Sequence, residues 1–288
     1  MTEFTQLKLE ITNGIAVATF TRPEKMNTFN TIMMKEMIRL FDVTDADDSV
    51  RAVIITGSGK AFCAGADLGR GPDTFDYRKR EAASEGVVNG VRRDGGGLLT
   101  LRIFKSLKPV IAAVNGAAVG VGVTMQLPMD FRLASTAARF GFVFARRGIV
   151  PEACSSWFLP RLVGMPQALE WIYSGRVFDA AEAKSAGLVQ SVHAPEDLVP
   201  AAVELAHKVT DKSAPVAVAC ARQMLWRMLA ATHPMDAHRL DSRGIQSRGA
   251  SADVREGVAA FLEKRDAAYP NRVSTDMPDI FLPDPEFT

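Results

Sequence analysis

The chain has 288 residues, 47% of them hydrophobic and 23% charged, with 34 Lys and Arg against 33 Asp and Glu for a formal net charge of +1. This is the balance of a globular protein that buries a large core in one main domain. It leaves no basic surplus to attract nucleic acid or an anionic membrane. Three widely spaced cysteines, Cys63, Cys154 and Cys220, support neither a disulfide framework nor a zinc site, and a reducing, cytoplasmic setting fits them. The N-terminal stretch lacks the basic end and apolar run of a secretory signal. The longest apolar stretch, VIAAVNGAAVGVGVTMQL, is too interrupted for a membrane span. The expectation is a soluble protein with no membrane insertion and no metal.

In chain order, LKLEITNGIAVATF at 7–20 alternates apolar and polar residues on both sides of Asn13-Gly14, which predicts a β-hairpin. From Asn30 to about Asp47, Ile32, Met33, Met37, Ile38 and Phe41 recur at helical spacing and lead to a strand, AVIITG, at 52–57. Strand, helix, strand suggests a parallel crossover. Residues 69–97 lose apolar periodicity and read as a loop or partly helical lid. A helix to about Leu107, the strand VIAAV, an apolar helix start after Thr124 and the strand FRLAS follow, with helices beginning near Glu152 and Pro166. From Pro195 to Tyr269 the pattern is helical, broken near Ser213-Ala214-Pro215, His233-Pro234 and Ser251-Ala252-Asp253. The proline-rich end reads as an extended tail. The fold class is α/β with a helical extension: a core at 1–200, a helical layer at 201–270 and a tail at 271–288.

Two Gly-rich turns each follow a predicted strand and precede a helix: GSGKAFCAGADL at 57–68 and NGAAVGVGVTM at 115–125. Such junctions expose backbone N–H groups, and two of them can point at one oxygen. Neither turn has P-loop or dinucleotide-binding spacing, and by spacing alone such turns are more often only tight connections.

The runs KAFCAGADL and KPVIAAVNGAAVGVGVTM, the preceding RPEKMN and the late EGVAAFLEKR together resemble the crotonase superfamily, also called enoyl-CoA hydratase/isomerase, over residues 7–269. The resemblance implies a crotonase (ClpP/crotonase-like) spiral of ββα units with a C-terminal helical trimerisation layer, and an acyl-CoA substrate. It implies an oxyanion hole made by the N–H groups of Ala66 and Val121, which can lower a barrier by about 3 to 4 kcal/mol. It further implies coenzyme A contacts from Lys25, Met26, Ala64, Asp67 and Leu68, and from Phe261 and Lys264 reaching a neighbouring subunit of a homotrimer or hexamer. Coenzyme A would come as part of the substrate thioester, with no separate cofactor.

The hydratases of this family use two glutamates, and the matching positions are Thr124 and Phe144, so both carboxylates are absent. The segment PEACSSWFLPRLVG resembles the PEGCSS-type segment of the peroxisomal Δ3,Δ2-enoyl-CoA isomerases, which gives Glu152 the role of a single acid/base. Ile149, Val150, Trp157 and Phe158 offer it an apolar setting. Without the resemblance Glu152 reads as a favourable charge at a helix start, and with it as the acid/base. Cys63 and Cys154 have no His beside them in sequence and read as packing residues, and Arg146-Arg147 as solvated charges. Three functions stand open: a single-base isomerase shifting 3-enoyl-CoA to 2-enoyl-CoA, a hydratase using Glu152 and water, and an acyl-CoA-binding protein with little catalysis. RNA binding is disfavoured by the near-neutral charge.

Overall fold

The computed structural model describes residues 4–77 and 86–288. β1 (Leu7–Thr12) and β2 (Ile15–Phe20) pair antiparallel through Asn13-Gly14, both at positive φ as a tight hairpin turn requires. α1 (Thr31–Ala46) starts where the Asn30 side chain accepts a hydrogen bond from the Met33 N–H at 2.9 Å. β3 (Ala52–Gly57) then pairs parallel to β2, so strand, helix and strand make the expected crossover. β4 (Ala61–Cys63) follows at once, and a small exposed hairpin, β5 (Val87–Val88) and β6 (Val91–Arg92), precedes α2 (Gly95–Phe104). Of the expected lid at 69–97, residues 78–85 lie outside the described residues, and the Gly95-Gly96-Gly97 run is the first turn of α2.

The next units repeat the scheme: β7 (Val110–Val114), β8 (Ala117–Val119) and α3 (Val121–Thr124), then β9 (Phe131–Ser135) and β10 (Arg139–Gly141). α4 (Ser155–Val163), α5 (Met165–Ser174), β11 (Val177–Asp179), α6 (Ala180–Ser185) and β12 (Ser191–His193) complete the strands. One sheet runs β1-β2-β3-β7-β9-β12 and a second runs β11-β10-β8-β4. Three times the chain leaves the first sheet and turns directly into the second, as β3 to β4, β7 to β8 and β9 to β10. Asn115 ties two of these corners together. Its Oδ1 accepts from the Gly57 N–H at 3.0 Å, and its Nδ2 donates to the Gly59 and Ala61 carbonyls at 3.1 and 3.3 Å.

The main core lies between the sheets and under α1 and α2, with Phe20, Phe41, Phe62, Phe140 and Phe142 fully buried. α7 (Leu198–Thr210) covers the other face of the first sheet, packing Leu198, Ala202 and Ala206 on Ile15, Ile54, Ile111 and Leu133. α8 (Pro215–Met228), α9 (Pro234–Gly249) and α10 (Ala252–Glu263) begin at the Pro and Ser-Ala-Asp boundaries read from the sequence. Arg222 of α8 locks this layer down. Its guanidinium is 2.8 Å from Asp130 and donates to four main-chain carbonyls, those of Ile103, Phe104, Ser106 and Pro128.

Three expectations need correcting. α4 begins at Ser155 and not near Glu152, because Ala153 and Cys154 both take left-handed φ and break the helix before it starts. α2 ends at Phe104, short of Leu107. The tail is not wholly extended: α11 (Val273–Asp276) is a turn of helix held where Ser274 bonds Asp48, and Asp284 pairs with Lys105 and Arg227 at 2.8 Å each. Among the described residues no helix is long and apolar enough to cross a membrane, and no group of three or more His, Cys, Asp or Glu could hold a metal ion.

Candidate active site

The second sheet brings the two Gly-rich turns side by side. β4 and β8 pair parallel, with Cys63 opposite Ala118, and each strand runs straight into its turn. A methyl group on Gly65 would lie 3.0 Å from the Val119 carbonyl oxygen, and one on Gly120 would lie 3.9 Å from Gly65 Cα. Gly120 takes φ 55 and ψ −126, a conformation open to glycine, and its turn starts α3 with Val121 as the first helical residue. A side chain on Gly122 would collide with the Cys63 carbonyl, so α3 sits hard against β4.

Ala66 makes an isolated parallel bridge with Phe29. The Phe29 N–H donates to the Gly65 carbonyl at 2.8 Å and the Asp67 N–H to the Phe29 carbonyl at 2.9 Å, which turns the Ala66 N–H to the opposite side. Val121, at the first position of a helix, has no intrahelical acceptor. Neither N–H meets a protein acceptor among the described residues.

The turn at 22–27 folds onto the first of these loops. Ala64 N–H donates to the Met26 carbonyl at 3.0 Å, and the buried Asn27 side chain donates to the Ser58 and Ala61 carbonyls at 2.9 and 2.8 Å. Arg22 reaches Asp67 at 3.3 Å, and Asp67 also accepts from the Gly69 N–H at 3.0 Å, which holds its carboxyl below the usual range. Lys25, Met26, Ala64, Asp67 and Leu68 are thereby gathered in one place, with Lys25, Met26 and Leu68 exposed. Phe261 and Lys264 stand elsewhere, at the end of α10. Phe261 is 81% exposed and Lys264 ends the helix in a left-handed conformation.

Glu152 lies in the loop between a 3-10 turn at Ala145–Arg147 and α4. The Thr124 hydroxyl donates to its Oε1 at 2.5 Å. Thr124 is the last residue of α3 and Val121 the first, so the carboxyl is joined to the helix that presents the Val121 N–H, about 4.5 Å along the axis. A Cβ on Gly96 would collide with Glu152 Oε2, so the carboxyl rests on the bare first turn of α2. Ala153 at φ 53 and Cys154 at φ 56 follow it. A left-handed conformation costs such residues roughly 1 to 2 kcal/mol each, and strain of this kind collects where geometry is enforced by the surroundings.

Burial is the first cause that lifts the Glu152 carboxyl to about 7. The Thr124 hydrogen bond opposes the rise and the nearby Asp94 adds to it. Of the expected apolar neighbours, Phe158 is buried, Ile149 and Trp157 pack against the core, and Val150 is not part of the setting, being 77% exposed. Phe144 is buried in the core. Cys63 is buried and its thiol pushed up to about 12, chiefly by desolvation, and burial also raises Cys154. Both thiols are therefore protonated and poor nucleophiles at neutral pH. Such a site offers one tunable carboxyl beside two free backbone donors. The sequence reading missed Gly96 and Asp94, although three glycines next to a helix-capping Asp mark a helix start with no room for side chains.

The family model Enoyl-CoA hydratase/isomerase matches residues 10–272. The chain is 39% identical over 254 residues to Enoyl-CoA hydratase ACTT3 of Alternaria alternata, a match covering 88% of this chain and 82% of that protein. It is 32% identical over 262 residues to the 1,2-epoxyphenylacetyl-CoA isomerase of Escherichia coli (strain K12), covering 90% and 96%. Among solved structures, Pseudomonas aeruginosa DspI is similar with a TM-score of 0.82 and 30% identity, over 94% of this chain and 98% of that one.

Proposed function

The chain belongs to the enoyl-CoA hydratase/isomerase family, the crotonase superfamily, and on that premise we propose that it shifts the double bond of a 3-enoyl-CoA to the 2-position, with Glu152 as the acid/base. The thioester oxygen accepts from the N–H groups of Ala66 and Val121. Glu152 takes the proton from C2, the charge spreads over a dienolate held at those donors, and the same carboxyl returns the proton at C4. No oxidation occurs and no water is consumed. Coenzyme A is part of the substrate, lying along Lys25, Met26, Ala64, Asp67 and Leu68, so the reading calls for no separate cofactor.

The observation that carries this reading is the Glu152 carboxyl itself: bonded to α3 at Thr124, lifted to about 7, and without a glutamate at either position where the family's hydratases keep theirs. A carboxyl that titrates near neutrality can both accept and return a proton. Phe144, buried where the second glutamate would stand, favours exclusion of water. A second reading, hydration of a 2-enoyl-CoA by Glu152 and water, is favoured by relatives named as hydratases, the Alternaria protein among them.

Exposed apolar side chains on the helical layer, Leu225, Ile245, Val258, Phe261 and Leu262, support assembly into a homotrimer or hexamer in which Phe261 and Lys264 reach the coenzyme A of a neighbour. Light scattering tests the assembly.

The deciding experiment offers 3-enoyl-CoA and, separately, 2-enoyl-CoA in water to the wild type and to Glu152→Gln. Migration of the double bond that is lost in Glu152→Gln is the expected result. Efficient hydration unaffected by Glu152→Gln overturns the mechanism, and thioester binding without turnover reduces the protein to an acyl-CoA binder.

A further inference from the structure

Glu152 shares its end of α2 with a second carboxylate. Asp94 is the residue before α2, and its Oδ1 accepts from the Gly97 N–H at 2.6 Å while the Leu98 N–H donates to its main-chain carbonyl at 3.1 Å. These two bonds pin Asp94 to the first turn of the helix. The Cβ that Gly96 lacks would collide with Glu152 Oε2 and lie 3.1 Å from Asp94 Oδ1. The two carboxylates therefore border the same small space, one resting on Gly96 and one beside it. The neighbouring cation, Arg93, stacks its guanidinium over the Phe287 ring at 5.3 Å.

Resting on the reading of Glu152 as the base, we propose that Asp94 is a positioning residue for the proton transfer. Its pinned negative charge repels the Glu152 carboxylate across the space beside Gly96, which makes Glu152 the stronger base and favours the rotamer that faces Thr124 and α3. A negative charge beside a carboxyl in a poorly solvated space disfavours ionisation of that carboxyl, and Asp94 stands beside Glu152 across Gly96. The remaining groups that face Glu152 are Thr124 on α3, Cys63 on β4 and Cys154 in the turn that follows, with Arg93 acting on Cys154. The hydroxyl opposes the rise, and the two thiols are uncharged at neutral pH. Asp94 touches no substrate in this arrangement and acts only through Glu152.

The test is the pH dependence of kcat/KM for double-bond migration in the wild type, Asp94→Asn and Asp94→Ser. Both replacements keep an oxygen that can cap α2 and remove the charge. The expected result is an acid limb moved to lower pH by roughly one unit, with kcat at pH 8 reduced and KM unchanged. Limbs that coincide with the wild type's overturn the proposal and leave Asp94 a helix cap. A second measurement needs no substrate. The Glu152 carboxyl 13C resonance, assigned by its loss in Glu152→Gln, is expected to titrate at lower pH in Asp94→Asn than in the wild type, and coincident titrations overturn the proposal. Full migration by Glu152→Gln would remove the base and Asp94's role together. An inactive Glu152→Gln beside unshifted Asp94 variants would remove Asp94's role alone.

Discussion

The Thr124 hydroxyl donates to Glu152 Oε1 at 2.5 Å, so the last residue of α3 holds the carboxyl of another element. The bond favours the ionised carboxylate and pulls against burial. Thr124→Val keeps the shape and removes the donor, so the Glu152 carboxyl rises further above 7 and less base is present at neutral pH. A hydrogen bond to a charged group contributes about 1.5 to 3 kcal/mol, which predicts a loss of roughly tenfold or more in kcat/KM at pH 7. The acid limb of the pH profile moves up, opposite to its movement in the Asp94 variants, and Thr124→Ser restores it.

Gly96→Ala separates stability from activity. Alanine is the better helix former by up to about 1 kcal/mol, so α2 itself gains. The new methyl takes the place of Glu152 Oε2 and also lies 3.0 Å from Ala153 Cβ, which forces the carboxyl out of its position. A base displaced by about 1 Å loses on the order of a hundredfold in rate. Steady-state kinetics beside thermal unfolding checks this: a folded variant with full activity would show that the carboxyl has another productive position.

Burial of Glu152 also sets a pH dependence of stability. The folded carboxyl titrates at about 7 against an ordinary value of 4.5. Between these two pH values the folded chain holds more protons than the unfolded one, so stability falls as pH rises through the window and levels off above it. The loss is on the order of 2 kcal/mol after allowance for the solvent-facing side of the group. Urea midpoints at pH 5 and pH 8 measure it, and Glu152→Gln is expected to remove most of the difference.

Much of the scaffold could be read before any coordinates, and the reasons are local. Asn13-Gly14 dictates its hairpin, Asn30 caps α1, and Pro215, Pro234 and Ser251 mark helix starts in the last third of the chain. The second sheet was read only as Gly-rich turns, because β4, β8 and β10 have three residues each and no period to detect. The apolar stretch after Thr124 looked like a helix start, yet α3 stops there and the chain runs buried through Pro128 to β9. The site was legible where backbone chemistry leaves a glycine signature and illegible where tertiary packing decides. Nothing local in Pro151-Glu152-Ala153-Cys154 announces two left-handed residues in succession.

Arg222 supplies a test of the scaffold remote from the reacting groups. It is buried against Asp130, which also accepts from Trp226 Nε1 at 2.7 Å, and through the Phe104 carbonyl it ties α8 to the end of α2. Arg222→Met leaves Asp130 buried without its cation, a loss of about 3 to 5 kcal/mol. A correspondingly lower denaturant midpoint is the expected outcome, and an unchanged midpoint would show that Trp226 and the Val110 N–H satisfy Asp130 without the guanidinium.

The seat of Glu152 on Gly96 has a use beyond this chain. A carboxyl can occupy that spot only when the opposing residue lacks a Cβ, so the two positions, 56 residues apart, amount to a lock and its key written in the alphabet alone. In a relative that carries glutamate at the later position, glycine at the earlier one would mark the same seated acid. A larger residue there would tell a reader of bare sequences that the proton is handled from somewhere else.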